Sequence, residues 1–244
     1  MGALNHLGFR VWFGSEMPAI SRFRIERKFG TSVFKLSLDQ LDSETRLKIL
    51  EQTIKVAAEG FRQDPKDEVF RQDVADHVLN TPELYLVYTG KECIAFAAIE
   101  HFEARGIPVL YLGGLMVKRD FQGNGLMKDL ISLEIGLSKP RVLVARTQNP
   151  CILDLMKSFC EKEKIYPFTG FPKGDCQTVS EFLNINRGGF DSKTLIGLGT
   201  YGRCLYGDGV PKSNHPQSNL FMERIDPQMG DSILFIGEVA YEKK

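Results

Sequence analysis

The chain has 244 residues, of which 43% are hydrophobic and 25% charged, and this composition excludes a disordered, collagen-like or coiled-coil protein. Lysine and arginine together number 31, as do aspartate and glutamate, so the formal net charge is zero. A balanced charge gives no electrostatic reason for binding to nucleic acid or to an anionic membrane, and we expect neither as a partner.

The cysteines and the apolar segments bear on the cellular compartment. The five cysteines are irregularly spaced and contain no C-x-x-C pair, which favours a reducing compartment over a disulfide framework or a zinc site. No segment approaches the roughly 18 apolar residues that a membrane span needs, so we predict a cytoplasmic protein. An excess of basic residues among the first thirty leaves an organellar targeting segment as the alternative.

Two amphipathic helices and a β-hairpin are predicted in the first half of the chain. Apolar residues recur at steps of three and four in residues 42–61 and again in residues 65–80. Two β-rich runs, residues 84–88 and 93–102, then flank a turn at residues 89–92. We therefore expect two consecutive helices followed by paired strands.

A strand, a glycine loop and a helix follow the hairpin. Residues 109–117 are apolar throughout and contain Gly113 and Gly114, which indicate a bulge or a close approach of a ligand. The loop after them leads into a leucine-rich helix that starts near Leu126. Such a loop directs main-chain N–H groups and the positive helix end toward one point, an arrangement that binds phosphate. A plain glycine turn is the alternative interpretation.

The remaining elements complete an α/β pattern. A short strand at residues 141–145 precedes a helix that begins at Asn149 and Pro150. The pattern weakens from Phe168 to Asn219, where we predict only a short helix at residues 178–185 and a β-like patch at residues 195–205. Residues 232–241 predict a last strand. We divide the chain into an N-terminal extension (1–38), a core (39–168), and a C-terminal insertion with the final strand (169–244).

The glycine loop resembles the acetyl-CoA-binding segment of the GNAT superfamily of N-acetyltransferases, whose pattern is Q/R-x-x-G-x-G/A. Gln122 and Gly125 match this pattern, Gly123 matches a common extra glycine, and Met127 departs from it. The order of elements from about Leu47 to Tyr166 is also similar to the family. The extensions on both sides of this core would make the chain an unusual member.

The resemblance implies a mixed α/β sheet whose central strands splay apart, with acetyl-CoA as the co-substrate. The pantetheine arm would pair in β fashion with Leu115, Met116 and Val117. Asn149 matches a polar residue found where the neighbouring strand ends, although capping of the next helix explains it equally well. The pyrophosphate would bind the main chain of the loop, which comprises Gln122, Gly123, Asn124, Gly125, Leu126 and Met127.

The catalytic residues follow less directly from the resemblance. Many members carry a tyrosine where this chain has Met156, which cannot donate a proton. Many also carry a glutamate on the strand before the loop, where this chain offers Tyr111. We select Glu100 and Tyr111 as the catalytic candidates. The alternative bases are His101 and Glu103, although both could equally be solvated residues that lead into a turn. Tyr166 is an alternative acid with less support.

Our first hypothesis is an acetyl-CoA-dependent N-acetyltransferase that moves an acetyl group directly to a small-molecule or peptide amine. The alternative is a catalytically weak or inactive GNAT-fold module that binds coenzyme A. A third possibility makes the segment from Phe168 onward a partner-binding region. The oligomeric state is open between monomer and homodimer.

We expect no metal site, because His215 lacks neighbouring ligands. We also expect no dinucleotide-binding fingerprint at residues 197–202, because no helical pattern follows that segment.

Overall fold

The structure of the chain, a computed structural model, describes residues 14–17, 20–25 and 31–241, the first two ranges by their backbone alone. Most of the basic residues on which the targeting alternative depends lie outside the described residues, so that alternative and the cytoplasmic location stay predictions. No helix in the described ranges has both the length and the apolar character that crossing a bilayer requires.

The described residues form six α-helices and ten β-strands. The helices are α1 (Ser43–Phe61), α2 (Glu68–Leu79), α3 (Leu126–Ser138), α4 (Pro150–Phe159), α5 (Gly174–Asn186) and α6 (Pro216–Met222). The strands are β1 (Gly14–Met17), β2 (Ile20–Ile25), β3 (Thr31–Ser37), β4 (Glu83–Thr89), β5 (Glu92–Ala104), β6 (Ile107–Val117), β7 (Val142–Thr147), β8 (Cys160–Tyr166), β9 (Ile196–Gly197) and β10 (Ser232–Val239).

The chain divides into two compact units. The first holds the described residues up to Glu100 together with Gly113–Asp129, and the second holds His101–Leu112 and the chain from Leu130 onward. Strands β5 and β6 and helix α3 each contribute residues to both units.

Helices α1 and α2 cover one face of the antiparallel strands β3, β4 and β5 in the first unit. Helix α1 begins at a cap in which the Asp42 carboxylate accepts a hydrogen bond from the Thr45 amide at 2.8 Å. The apolar stripes predicted from the sequence point inward: Ile54 and Phe70 are buried against Leu84 and Leu86. Burial of these side chains is the main stabilisation of this unit.

The second unit packs α5 against part of β6, β7 and β10. Its core includes Val109, Val144, Val179, Leu183 and Leu234. Strands β6 and β7 pair in parallel, whereas β10 is antiparallel to both β7 and β8. The predicted mixed α/β fold is therefore confirmed.

The pairing of β6 with β7 is short. It runs from Val109 opposite Val142 to Leu112 opposite Ala145, whereas β6 itself continues to Val117 and β7 to Thr147. The hydrogen-bonded ladder between the two strands thus ends before the strands do, as the splayed fold requires.

The structure corrects the prediction of a β-like patch at residues 195–205. Only Ile196 and Gly197 form a strand, because Gly199 and Gly202 adopt positive φ angles of 58° and 64° that turn the chain. Residues 178–185 are helical as predicted, within the longer helix α5.

Strands β3 and β8 were missed. The charged run inside β8 contains no apolar alternation, and among the strands that the structure describes it pairs only with the distant β10. Strand β3 lies in the segment interpreted as an N-terminal extension, yet it pairs with β4 along its whole length.

Candidate functional site

Lys118 fixes the point at which strand β6 ends and the glycine loop begins. Its amide donates a hydrogen bond to the Ile94 carbonyl at 2.8 Å, and its ammonium group lies 2.7 Å from Glu59 and 2.9 Å from Glu92. Burial disfavours the charged form, but the hydrogen bonds to the two carboxylates outweigh it and raise the pKa of Lys118. The loop therefore starts from a rigid anchor within the first unit.

The main chain of the glycine loop is open on one side. Gly123 and Gly125 both have φ angles of +74°, a left-handed conformation that favours glycine. A side chain at Gly123 would meet nothing within 4 Å. Within the described part of the chain, no acceptor is found for the N–H groups of Gly123, Gly125, Leu126 and Met127.

These amides lie at the start of helix α3. The first helical bond runs from the Asp129 amide to the Gly125 carbonyl at 3.0 Å, so the amides of Leu126 and Met127 precede the helical ladder. The positive end of the helix dipole adds to them. The loop thus presents several donors to an anion, the arrangement predicted for a pyrophosphate.

The polar side chains of the loop are used internally. The Gln122 amide group donates to the Val117 carbonyl at 2.9 Å, and the Asn124 amide group donates to the carbonyls of Phe121 and Gln122 at 3.2 and 3.3 Å. Both side chains stabilise the loop, which leaves the main chain as its binding surface.

Residues 115–117 at the end of β6 bury one side chain and direct some of their main-chain groups away from β5. Met116 is buried in the core of the first unit, where it lies against Gly60 of α1. The Lys118 amide bonds toward β5, so by strand alternation the main-chain groups of Leu115 and Val117 point away from β5. Since the ladder to β7 ends at Leu112, these groups have no ladder partner on that side in the described residues. The Val117 carbonyl accepts from the Gln122 side chain, so the main-chain groups of Leu115 and the Val117 N–H are the ones suited to pair with an extended ligand.

Asn149 caps helix α4, which was the alternative interpretation of this residue. Its side-chain oxygen accepts from the Cys151 amide at 2.9 Å, and its side-chain nitrogen donates to the Tyr206 hydroxyl at 3.0 Å. Burial raises the pKa of Tyr206, so this phenol stays protonated at neutral pH. A contact between Asn149 and coenzyme A stays a prediction.

The two catalytic candidates lie in different units. Glu100 is half-buried on β5 in the first unit, and Tyr111 is half-buried on β6 in the second. The guanidinium of Arg187 lies 4.6 Å from the centre of the Tyr111 ring. Of the alternatives, Glu103 is exposed, whereas His101 pairs with the buried carboxylate of Glu134 at 2.9 Å.

Two further positions bear on the proton donor. Met156 is fully buried in α4, and its thioether has no proton to donate, so it cannot replace the family's tyrosine. Burial raises the pKa of Tyr166, and the nearby Cys176 and Glu238 act in the same direction. This phenol therefore keeps its proton at neutral pH.

Comparison with known families bears on the same segment. Residues 47–139 match the Acetyltransferase (GNAT) family, and this range includes most of α1 and all of α2, the hairpin, β6, the glycine loop and α3. Residues 47–139 are a GNAT domain. The expected family resemblance is thereby confirmed over that range, and the activity class that it indicates is acyl transfer.

Solved structures similar to this chain include several acetyltransferases. The ribosomal-protein-S18-alanine N-acetyltransferase from Escherichia coli is 12% identical, with a TM-score of 0.44 over 87% of this chain and 97% of its own. The IAA acetyltransferase from Bacillus cereus is 12% identical, with a TM-score of 0.42 over 85% and 99%. An aminoglycoside acetyltransferase from a soil metagenome is 15% identical, with a TM-score of 0.38 over 52% and 86%. No curated protein matches the sequence.

Sequence reasoning missed the side chains whose partners are distant along the chain. Lys118 gave no signal, because its carboxylate partners are Glu59 and Glu92, which are far from it in sequence. Tyr206 was missed for the same reason, because it contacts Asn149 across a stretch with no periodic pattern. Only covariation between the two positions in an alignment of many relatives could have indicated such contacts.

Proposed function

We propose that this chain is an acetyl-CoA-dependent N-acetyltransferase that moves an acetyl group directly to an amine. The observation that carries the proposal is the set of open main-chain N–H groups of Gly123, Gly125, Leu126 and Met127, inside a domain of the acetyltransferase family. These donors fit the pyrophosphate of coenzyme A, and the free space beside Gly123 lets a phosphate approach the backbone.

The residues present also fit the pantetheine arm. The N–H and carbonyl of Leu115 and the N–H of Val117 offer donors and an acceptor to the amides of the arm, while the Val117 carbonyl accepts from Gln122. Lys118, held by Glu59 and Glu92, fixes the position of this strand end relative to the loop. Acetyl-CoA supplies the activated acyl group, so the protein contributes mainly orientation, which can account for a large part of the rate.

The acceptor is proposed to be a small-molecule or peptide amine, with Glu100 as the base that takes its proton. Replacing Glu100 by Gln should lower kcat by about 100-fold, the lower range for loss of a general base. The binding of acetyl-CoA should be unchanged, since Glu100 lies outside the loop. Steady-state rates and ligand-induced shifts in Tm test both statements. An undiminished kcat in E100Q would remove Glu100 from the mechanism.

The proposed coenzyme site is tested by a matched pair of glycine variants. Gly123→Ala should weaken acetyl-CoA binding at least about tenfold, because the methyl group crowds the phosphate and strains the left-handed backbone. Gly90→Ala, in the turn between β4 and β5, carries a similar strain with equally free space around it, so it controls for lost stability.

Isothermal titration calorimetry measures the affinity of both variants for acetyl-CoA. The wild type and Gly90→Ala should bind alike, and the wild-type Tm should rise with ligand concentration. Equal affinities of Gly123→Ala and Gly90→Ala, or no Tm shift of the wild type at millimolar acetyl-CoA, would rule out the proposed site.

One observation favours a second candidate function, a module that binds coenzyme A without turnover. The buried Met156 occupies the position where many members of the family carry their proton donor. A panel of amines incubated with labelled acetyl-CoA separates the two candidates. Transfer of label to any amine above background hydrolysis excludes the pure binding module, whereas binding with no transfer supports it.

A further inference from the structure

Two buried polar atoms without a protein partner lie on one face of the sheet in the second unit. They are Nε of Arg146 on β7 and Oγ of Ser232 on β10. Arg146 pairs with Leu234, so strand alternation places Arg146, Leu234 and Ser232 on the same face. Arg146 and Ser232 are diagonal neighbours there, a spacing that long side chains can bridge.

Arg146 is held in place without a counter-charge. Its Nη2 donates to the Gly188 carbonyl at 3.1 Å, and its guanidinium carbon lies 5.5 Å from the centre of the Phe190 ring. Among the described residues, no carboxylate lies within ion-pair distance of Arg146. These contacts orient the half-buried guanidinium, while within the described chain its charge has no counter-ion and its buried Nε–H has no acceptor.

Ser232 completes the arrangement. The residue is 1% exposed, and its hydroxyl lies 3.1 Å from the point where a side chain at Gly197 would begin. The Gly189 carbonyl and the Thr200 hydroxyl adjoin that same point. A side chain at Gly189 would begin 3.5 Å from Nη1 of Arg146, so Gly189 borders both orphaned groups. Buried polar groups in folded proteins are almost always satisfied, so two at one place indicate a missing partner.

We propose that Arg146 and Ser232 form a binding site for a carboxylate group, either a small organic acid or the carboxylate end of a larger molecule. Adjacent guanidinium N–H groups match the two oxygens of a planar carboxylate, and the serine hydroxyl adds a third donor. One guanidinium balances one monoanion.

This site goes beyond the proposed function, and its test needs neither acetyl-CoA nor turnover. Sodium acetate and sodium formate are the probes, with sodium phosphate as a separate arm and chloride to hold the ionic strength constant. We expect a saturable rise in the Tm of the full chain with acetate and formate, and line broadening of ¹³C-acetate in NMR spectra. A response to phosphate without a response to either carboxylate would overturn the assignment.

Ser232→Ala is the decisive variant. Because the Ser232 hydroxyl has no partner, its removal should not lower the Tm in chloride, yet it should weaken acetate binding about tenfold. Ser180→Ala is the matched control: its hydroxyl donates to the Ser192 carbonyl at 2.7 Å, so this variant should lose stability and keep the acetate response.

Arg146→Lys keeps the charge and loses the planar pair of donors, and it should abolish the acetate response. An acetate affinity equal to that of the wild type in Ser232→Ala or in Arg146→Lys would overturn the proposal. No saturable response of the wild type to acetate or formate would overturn it as well, since the two groups would then be bridged by water.

Discussion

Gln148 shows how much structure one side chain can organise. It is 1% exposed at the end of β7, and its amide nitrogen lies 3.0 to 3.3 Å from the carbonyls of Arg203, Pro227 and Asp231. Its oxygen accepts from the Leu205 amide at 2.9 Å. One buried amide thus contributes four hydrogen bonds that help to tie a region with little regular secondary structure to the sheet, because buried main-chain groups need a partner.

Replacing Gln148 by Leu should therefore lower the free energy of unfolding by about 3 kcal/mol, since several buried main-chain groups lose a hydrogen bond while the side-chain volume is kept. Urea denaturation measures the change. Gln177→Leu is the control, because that exposed amide bonds only to Glu181 along α5. A loss below about 1 kcal/mol for Gln148→Leu would show that these loops do not depend on it.

Among the elements, the contact between α1 and β6 is the tightest one near the proposed coenzyme site. A side chain at Gly60 would overlap Sδ of Met116 and lie 2.9 Å from its Cγ and 3.3 Å from the Val117 carbonyl. Gly60 therefore lets the helix approach the strand closely, and the strand end is positioned by this packing as well as by Lys118.

A double-mutant cycle tests this packing. Gly60→Ala should destabilise the chain by about 1–3 kcal/mol through overpacking, and Met116→Ala should destabilise it by opening a cavity. The double variant should lose less than the sum, because the methyl group added at position 60 occupies the space that Met116 leaves. Strict additivity in urea denaturation would contradict a direct contact.

Elements that depend on local residue spacing were predicted from the sequence, whereas strands that depend on distant pairing were not. The helices α1 and α2 and the glycine loop depend on local spacing, so Leu50, Ile54 and Gly123 indicate them directly. Strands β8 and β9 exist because β10, far along the chain, pairs with both of them. The orphaned pair Arg146 and Ser232 depends on the pairing of β10 with β7, and no local pattern marks it.

On the scale of the whole molecule, two buried thiols and a half-buried phenol make the stability depend on pH in alkaline solution. Burial raises the pKa of Cys93 to about 11 and those of Cys160 and Tyr88 to about 12, from ordinary values of 9.0 for a thiol and 10.0 for a phenol. Above pH 9 the unfolded chain releases protons that the folded chain keeps, so the unfolded state gains stability as the pH rises.

The free energy of unfolding should therefore fall above pH 9, with a slope that approaches about 1.4 kcal/mol per pH unit for each thiol that is ionised in the unfolded chain and still protonated in the folded one. Urea denaturation at pH 8, 9 and 10 measures the slope. Cys93→Ala removes one titrating group and should make the slope shallower by about that amount. A slope unchanged in this variant would assign the alkaline loss to other groups.

The place of β10 has a consequence for how the protein is made. This strand comes last among the ten described, yet it lies between β7 and β8 and pairs with both. During synthesis the sheet of the second unit cannot close until the ribosome has released Val239. Until then β7 displays an unpaired edge, which makes a stalled nascent chain a candidate for aggregation or chaperone capture.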